Sequence, residues 1–296
     1  MNAALENMLN RYNMQTYEES YDALREVLQE IILNSLSKAG FFSEATFYGG
    51  TALRVLYNLP RFSEDLDFSL LEINPNFKIT PYESAIVDGL KGYGFEIDIQ
   101  IKEKNQNSAI ASAFIKGNTL KHLLNIGIPD EIKSTIHRDQ NVKIKLEVDT
   151  EPPLNFKTES KTLLRPTPYR ISSMTKPCLF AGKMHALLCR SWVSRPKGRD
   201  WYDLVWYISQ DIPLDLKHLE TRLKQSCKWV NKSEGVIIPE ELKPEDVIKL
   251  LKQRVDTVDF QKAKDDVSKF IKNKSELDIW DKEFFKEISN NIKFNN

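Results

Sequence analysis

The stretch FYGGTALRVLYNLPRFSEDLDFSL, residues 47–70, decides how this chain is read. It predicts a short strand, a Gly-Gly-Thr turn, a helix over 52–57, a polar loop and a second strand over 65–70. Side chains alternate along a strand, so Asp65, Asp67 and Ser69 face one way while Leu66, Phe68 and Leu70 face the other. Two carboxylates side by side on a rigid element repel each other, and a divalent cation is the usual remedy. Oxygen-only ligands favour magnesium or manganese. The Gly49–Gly50–Thr51 turn lets backbone approach a phosphate closely, and the first N–H groups of the following helix attract anions. Taken alone, an Asp-x-Asp is commonly a solvated edge and a Gly-Gly commonly a tight turn. Their conjunction around an otherwise apolar strand points to a site for a nucleotide and a metal.

A second informative block is AGKMHALLCRSWVSRPKGRDWYDLVWYI, residues 181–208: a lysine-bearing helix, then a helix opening Arg-Asp-x-Tyr-Asp-Leu. On the first helix Met184, Leu187, Leu188 and Trp192 form the apolar arc, with Lys183 and Arg190 on a stripe at its edge. On the second, Asp200, Asp203 and Tyr207 share a side, and Trp201, Val205 and Ile208 lie nearer the core side. Asp200 also suits the first turn of a helix, where an acid meets the positive end of the dipole. Arg190 reads equally as a phosphate ligand or as an ion-pair partner of Asp200 or Asp203. Arg195 and Lys197, in the loop between the helices, could grip an RNA backbone. Arg61 and Ser63, just before the acidic strand, are further candidates to line the site. Trp192, Trp201, Tyr202, Trp206 and Tyr207 read as core packing rather than a stacking platform.

The two blocks in this order, with SEDLDF at residues 63–68, resemble the nucleotidyltransferase superfamily of polymerase-beta-like fold. Within it they look like the AbiEii/AbiGii toxins and their mycobacterial relatives, the MenT toxins. The resemblance covers most of residues 45–210 and barely addresses the last third. It implies that Asp65 and Asp67 bind magnesium or manganese with a third carboxylate from a neighbouring strand. Residues 142–149 alternate, with Ile144, Leu146 and Val148 on one face and Lys143, Lys145, Glu147 and Asp149 on the other. Alternation cannot choose between Glu147 and Asp149; the resemblance leans to Glu147. It further implies that Lys183 contacts the triphosphate and that Asp200 is needed for activity, with Asp203 in reserve. The implied reaction moves a nucleoside monophosphate from an NTP to an acceptor hydroxyl, such as the 3′ end of transfer RNA. The implied setting is the toxin of a type IV toxin–antitoxin or abortive-infection system with a separate antitoxin protein. The rival readings are nucleotidylation of a protein side chain and a non-catalytic nucleotide-binding interaction protein.

Bulk properties agree with an ordinary folded enzyme. The chain has 296 residues, 41% hydrophobic and 28% charged, with 42 basic and 42 acidic side chains. That balance argues against non-specific coating of nucleic acid but leaves room for a local basic groove. No apolar run nears the roughly 18 residues needed to cross a membrane. Cys178, Cys189 and Cys227 lack paired metal-ligand spacing, and a reducing cytoplasm fits. The periodicities predict an α+β chain. A nucleotidyltransferase domain over 1–170, with a mixed β-sheet flanked by helices, precedes a helical bundle over 171–296. Helices are expected at 18–39, 82–91, 119–126, 179–193, 199–209, 215–228, 244–256, 259–273 and 281–293, and further strands at 95–102, 108–115 and 142–149. The lysines from residue 262 onward alternate with acids and read as a solvated helix face.

Overall fold

A computed structural model describes residues 3–102, 108–134, 136–190, 197–233 and 239–295. The elements begin α1 (Ala3–Leu9), α2 (Tyr17–Lys38), β1 (Ala45–Tyr48), α3 (Gly49–Tyr57), β2 (Leu66–Leu70) and α4 (Glu83–Lys91). They continue β3 (Asp98–Lys102), β4 (Ile110–Asn118), α5 (Thr119–Asn125), α6 (Asp130–Lys133), β5 (Asn141–Asp149), β6 (Thr158–Leu163) and β7 (Tyr169–Met174). The later part holds α7 (Lys176–Cys189), α8 (Gly198–Ser209), β8 (Leu214–Asp215), α9 (Leu216–Ser233), α10 (Pro244–Thr257), α11 (Phe260–Val267), α12 (Lys282–Ile288) and β9 (Phe294–Asn295). Two compact units emerge. The first comprises Met1–Ala52, Glu64–Pro152 and Glu159–Ser173; the second comprises Leu53–Ser63, Pro153–Thr158 and Met174–Asn296. Sequence alone draws one boundary at residue 170, whereas two short early segments group with the later helices.

In the first unit, α2 is fixed at its start by a reciprocal cap. The Thr16 hydroxyl accepts from the Glu19 N–H at 3.1 Å, and the Glu19 carboxylate accepts from the Thr16 N–H at 3.3 Å. The helix ends before Gly40, whose φ of 78° suits a residue without a Cβ. Leu24, Val27, Leu28, Ile31 and Ile32 are buried along it. The sheet is mixed, in the order β3-β4-β5-β2-β1-β7-β6. β2 pairs antiparallel with β1 and parallel with β5, β4 pairs antiparallel with β5 and with β3, and β1 pairs parallel with β7. Phe68 anchors β2: it is fully buried, 5.2 Å from the Phe47 ring and 4.9 Å, edge-on, from Phe41. Burying such a ring contributes about 2–3 kcal/mol. A slip of one residue would exchange it for Asp67, so the register is strongly specified.

The second unit is dominated by helices. Gly198 opens α8 where an added Cβ would come within 1.8 Å of the Ala263 carbonyl oxygen, so only glycine permits this closeness of α8 to α11. Trp201 packs edge-on against Phe260 and Phe285 at 5.2 and 5.0 Å, and Tyr207 stacks on Phe180 at 4.3 Å. These rings are core, as the sequence suggests; Trp192 and Arg195 lie outside the described residues.

Several elements differ from expectation. The Gly-Gly-Thr segment is not a separate turn before a helix but the first turn of α3 itself. β6 and β7 were unforeseen, and the helices expected at 259–273 and 281–293 are shorter, as α11 and α12. The sides of α8 differ in part: Trp201 is buried as expected, but Asp200, Asp203 and Tyr207 are buried as well, while Val205 and Ile208 are only half-buried. The acids go inward because basic side chains meet them there.

Candidate active site

Asp65 immediately precedes β2 and Asp67 lies within it; both are half-buried. The parallel register places Asp67 beside Glu147 and Ser69 beside Asp149, and the antiparallel register places Tyr48 on the other side of Asp67. Residues paired this way point to the same face of a sheet. Of the two acids on β5, Glu147 is therefore the neighbour of Asp67, and Asp149 lies one pleat further along. The Glu147 carboxylate receives the Lys145 ammonium at 2.6 Å and the Ser112 hydroxyl at 3.3 Å. Asp149 accepts the Glu151 N–H at 3.1 Å.

Gly49 follows Tyr48 directly and reaches the same carboxylate. Its φ is 81°, and a Cβ built there would lie 2.5 Å from Asp67 Oδ2. Glycine is required twice over, by the left-handed backbone and by the close carboxylate. Thr51 is wholly buried, and its hydroxyl donates to the Asp65 carbonyl oxygen. Its side chain thus ties the start of α3 to the entry of β2, leaving the backbone as the part of Thr51 suited to a phosphate. The same approach is held from α2, where Gln29 Nε2 donates to the Glu64 carbonyl at 3.0 Å and Arg25 pairs with the Glu64 carboxylate at 3.1 Å.

The donors of this face are carboxylate oxygens, which suit a hard divalent cation. Among the described residues, no three His, Cys, Asp or Glu side chains already stand together as a ligand cluster. The fit is one of donor chemistry and register: Asp67 and Glu147 are adjacent, and Glu147 would exchange its lysine partner for a cation.

The second unit holds a separate charged cluster. Lys183 on α7 bonds Asp200 at 2.6 Å and Asp203 at 2.7 Å. Asp203, fully buried, also receives Arg61 in a two-pronged pair, Nε to Oδ1 at 2.5 Å and Nη2 to Oδ2 at 2.6 Å. Arg61 Nη1 donates to the Phe62 carbonyl at 2.9 Å. Arg61 is thus a buried partner of Asp203 rather than a side chain facing outward to phosphate. Arg190, at the end of α7, pairs with Asp200. Ser63 is buried at the end of the 53–63 segment. Burial raises the Asp200 pKa, but Lys183 and Arg190 outweigh it and hold the carboxyl below its ordinary value. Burial and the nearby Arg190 lower the pKa of Lys197. Asp203, held in reserve by the sequence reading, is the acid that bridges Arg61 and Lys183. Its only local signal was its position three residues beyond Asp200, on one helix face.

The family model for the nucleotidyl transferase AbiEii toxin of type IV toxin–antitoxin systems matches residues 31–285. The protein is therefore a nucleotidyltransferase, and the strand–glycine–helix unit and both charged clusters fall inside the matched span. The chain belongs to the AbiEii toxin family. It is also similar to a Helicobacter pylori protein described as a candidate nucleotidyltransferase, with 19% identity, a TM-score of 0.46, and 90% of this chain and 92% of that chain covered. JHP933 from Helicobacter pylori is similar at 20% identity and a TM-score of 0.45, over 90% of this chain and 89% of that one. No curated protein matches the chain.

Proposed function

We propose that this nucleotidyltransferase moves a nucleoside monophosphate from an NTP to the 3′ hydroxyl of transfer RNA, releasing pyrophosphate. The observation that carries the reading is Gly49: a left-handed glycine at the start of a helix, pressed against Asp67, with Glu147 next to Asp67 on the adjoining strand. The backbone N–H groups of Gly49, Gly50 and Thr51 suit an anionic phosphate at the head of α3. Asp65 and Asp67, with Glu147 preferred over Asp149, would hold magnesium or manganese. When bound, the metal lowers the pKa of the attacking hydroxyl and offsets the charge of the leaving pyrophosphate.

Lys183, Arg190 and Arg61 bring three positive charges to the two carboxylates Asp200 and Asp203. The surplus cation favours a phosphate, and the acids orient Lys183 by holding it from two sides. On this reading Asp200 is a positioning residue. Family membership supports the setting of a toxin restrained by an antitoxin protein. Among the described residues no helix is long and apolar enough to cross a membrane; the proposed setting for work on transfer RNA is the cytoplasm.

The test is incubation of the purified chain with each labelled NTP and total RNA, with and without magnesium. Label on RNA that requires both Mg²⁺ and Asp67 supports the proposal. Label on protein would select protein nucleotidylation instead. No transfer with any NTP would leave a nucleotide-binding protein without this activity.

A further inference from the structure

We propose that the open face of β3, β4 and β5 is the docking surface for the single-stranded end of the RNA acceptor. The inference rests on the reaction proposed above and adds where the acceptor lies. The reverse face of these strands is core: Ala113, Ile115, Ile144, Leu146 and Val148 are buried there. The front face is half-exposed or exposed and follows the register in rows. Glu147 lies beside Ser112 and Ser112 beside Lys102; Lys145 lies beside Phe114 and Phe114 beside Gln100; Lys143 lies beside Lys116 and Lys116 beside Asp98.

The first of those rows begins at Asp67, because Asp67 pairs with Glu147. Three interstrand steps of about 4.8 Å put Lys102 roughly 14 Å from Asp67 along one surface. A strand of RNA lying across the sheet would therefore run from the lysines to the acidic pair without leaving this face.

The chemistry suits single-stranded nucleic acid. Four lysines, Lys102, Lys116, Lys143 and Lys145, share the face with three acids, Asp98, Glu147 and Asp149, and the two β5 acids lie at its end nearest Asp67. Lys145 is paired with Glu147, and Lys116 donates to Gln100. Lys143 and Lys102 instead hold their ammonium groups over the half-buried Phe114 ring, 3.8 and 4.8 Å from its centre. An aromatic ring flanked by cations offers a base a stacking surface and its phosphates a counter-charge. A base arriving on the ring displaces an ammonium group, which then has the adjoining phosphate as its partner. Stacking and phosphate contacts carry little base identity, so a contact made of them would tolerate sequence variation.

The experiment titrates the full chain into fluorescently labelled single-stranded RNA, without nucleotide, at several salt concentrations. The double variant Lys102→Glu/Lys143→Glu should weaken binding at least about tenfold and reduce the salt slope by about 1.4, at about 0.7 per lost phosphate contact. Phe114→Leu keeps the apolar volume but loses the ring; it should weaken binding by about fivefold or more with the slope unchanged. Thermal melting and a separate NTP titration should be unaffected in both variants. RNA affinity and slope that stay at the parent values in the folded double variant would overturn the proposal, as would a parent chain that binds no RNA. Binding that depends on these residues in a chain that transfers nothing would instead refute the proposed reaction and leave the surface standing. Label arriving on protein while the RNA titration ignores the lysines would overturn the docking site and favour a protein acceptor.

Discussion

In the first unit Asp67 and Glu147 lie half-buried and side by side on adjoining strands, whereas in the second Asp200 and Asp203 are buried against Arg61, Lys183 and Arg190. One cluster sets two acids on adjoining strands beside a glycine, with the half-exposed Lys145 on Glu147; the other buries its acids against cations that neutralise them. Like charges held together by a sheet lower stability and create demand for a cation, which is useful at a reacting centre. Opposed charges out of water hold one another in place, and removing one partner strands the other. The contrast separates a cluster suited to ligand chemistry from one whose first task is to fix geometry.

The largest expected effect tests the first half of that contrast. Asp67→Asn should lower nucleotide transfer by at least about a hundredfold, as losses of charge-stabilising groups at reacting centres do. Its melting temperature should stay level or rise, because a repulsive pair has been relieved. A variant that unfolds while keeping its activity per folded molecule would reverse the assignment.

Asp203→Ala should behave in the opposite way. It leaves Arg61 buried without its carboxylate and should cost about 3–5 kcal/mol of stability, read by urea denaturation. An Asp203→Ala protein as stable as the parent would remove the structural role given to this network.

Gly49→Ala sharpens the comparison at the backbone. The left-handed φ and the clash with Asp67 should together cost about 1–3 kcal/mol. Transfer should fall out of proportion to stability, since the carboxylate itself is displaced; an equal loss of both would point to a purely structural glycine.

The most gradual expected effect, smallest per step of pH, is acid sensitivity in the second unit. Burial and Arg222 push His218 down to about 4 and His185 down to about 3. In the unfolded chain both take up a proton near pH 6.5, while in the folded chain they stay neutral until those lower values. Stability is therefore present above about pH 6.5 and falls as the pH drops toward 4, by up to about 1.4 kcal/mol per pH unit for each histidine. Urea midpoints between pH 7.5 and 5 should show this slope, and His218→Gln should flatten it.

How much of this could be read from the chain depended on how local the signal was. The acidic strand, the glycines and helix α2 were legible because two-residue alternation, Gly-Gly and the helical spacing of apolar residues are short-range patterns. β6 was not: in TESKTL, residues 158–163, every position is exposed or half-buried, so no apolar alternation marks it. The orientation of α8 misled because its acids face cations distant in sequence: Arg61 lies 142 positions from Asp203, and Lys183 lies 17 from Asp200. A helix with charged residues on one side normally turns that side to water, and only tertiary pairing inverts it. Glu147 and Asp149 were indistinguishable by alternation because they share a face. Strand register, a property of the folded backbone, distinguishes which one borders Asp67.

The fastening of the acidic strand has one more consequence. Gln29 and Arg25 hold Glu64, and Thr51 holds the Asp65 carbonyl, so the carboxylates are delivered by a segment with little freedom left to lose when ligands arrive. On the proposed reading, the catalytic carboxylates would be assembled before any ligand arrives. The protein's quiet state in a living cell would then rest on restraint from outside this strand, such as the antitoxin that a type IV toxin–antitoxin family implies.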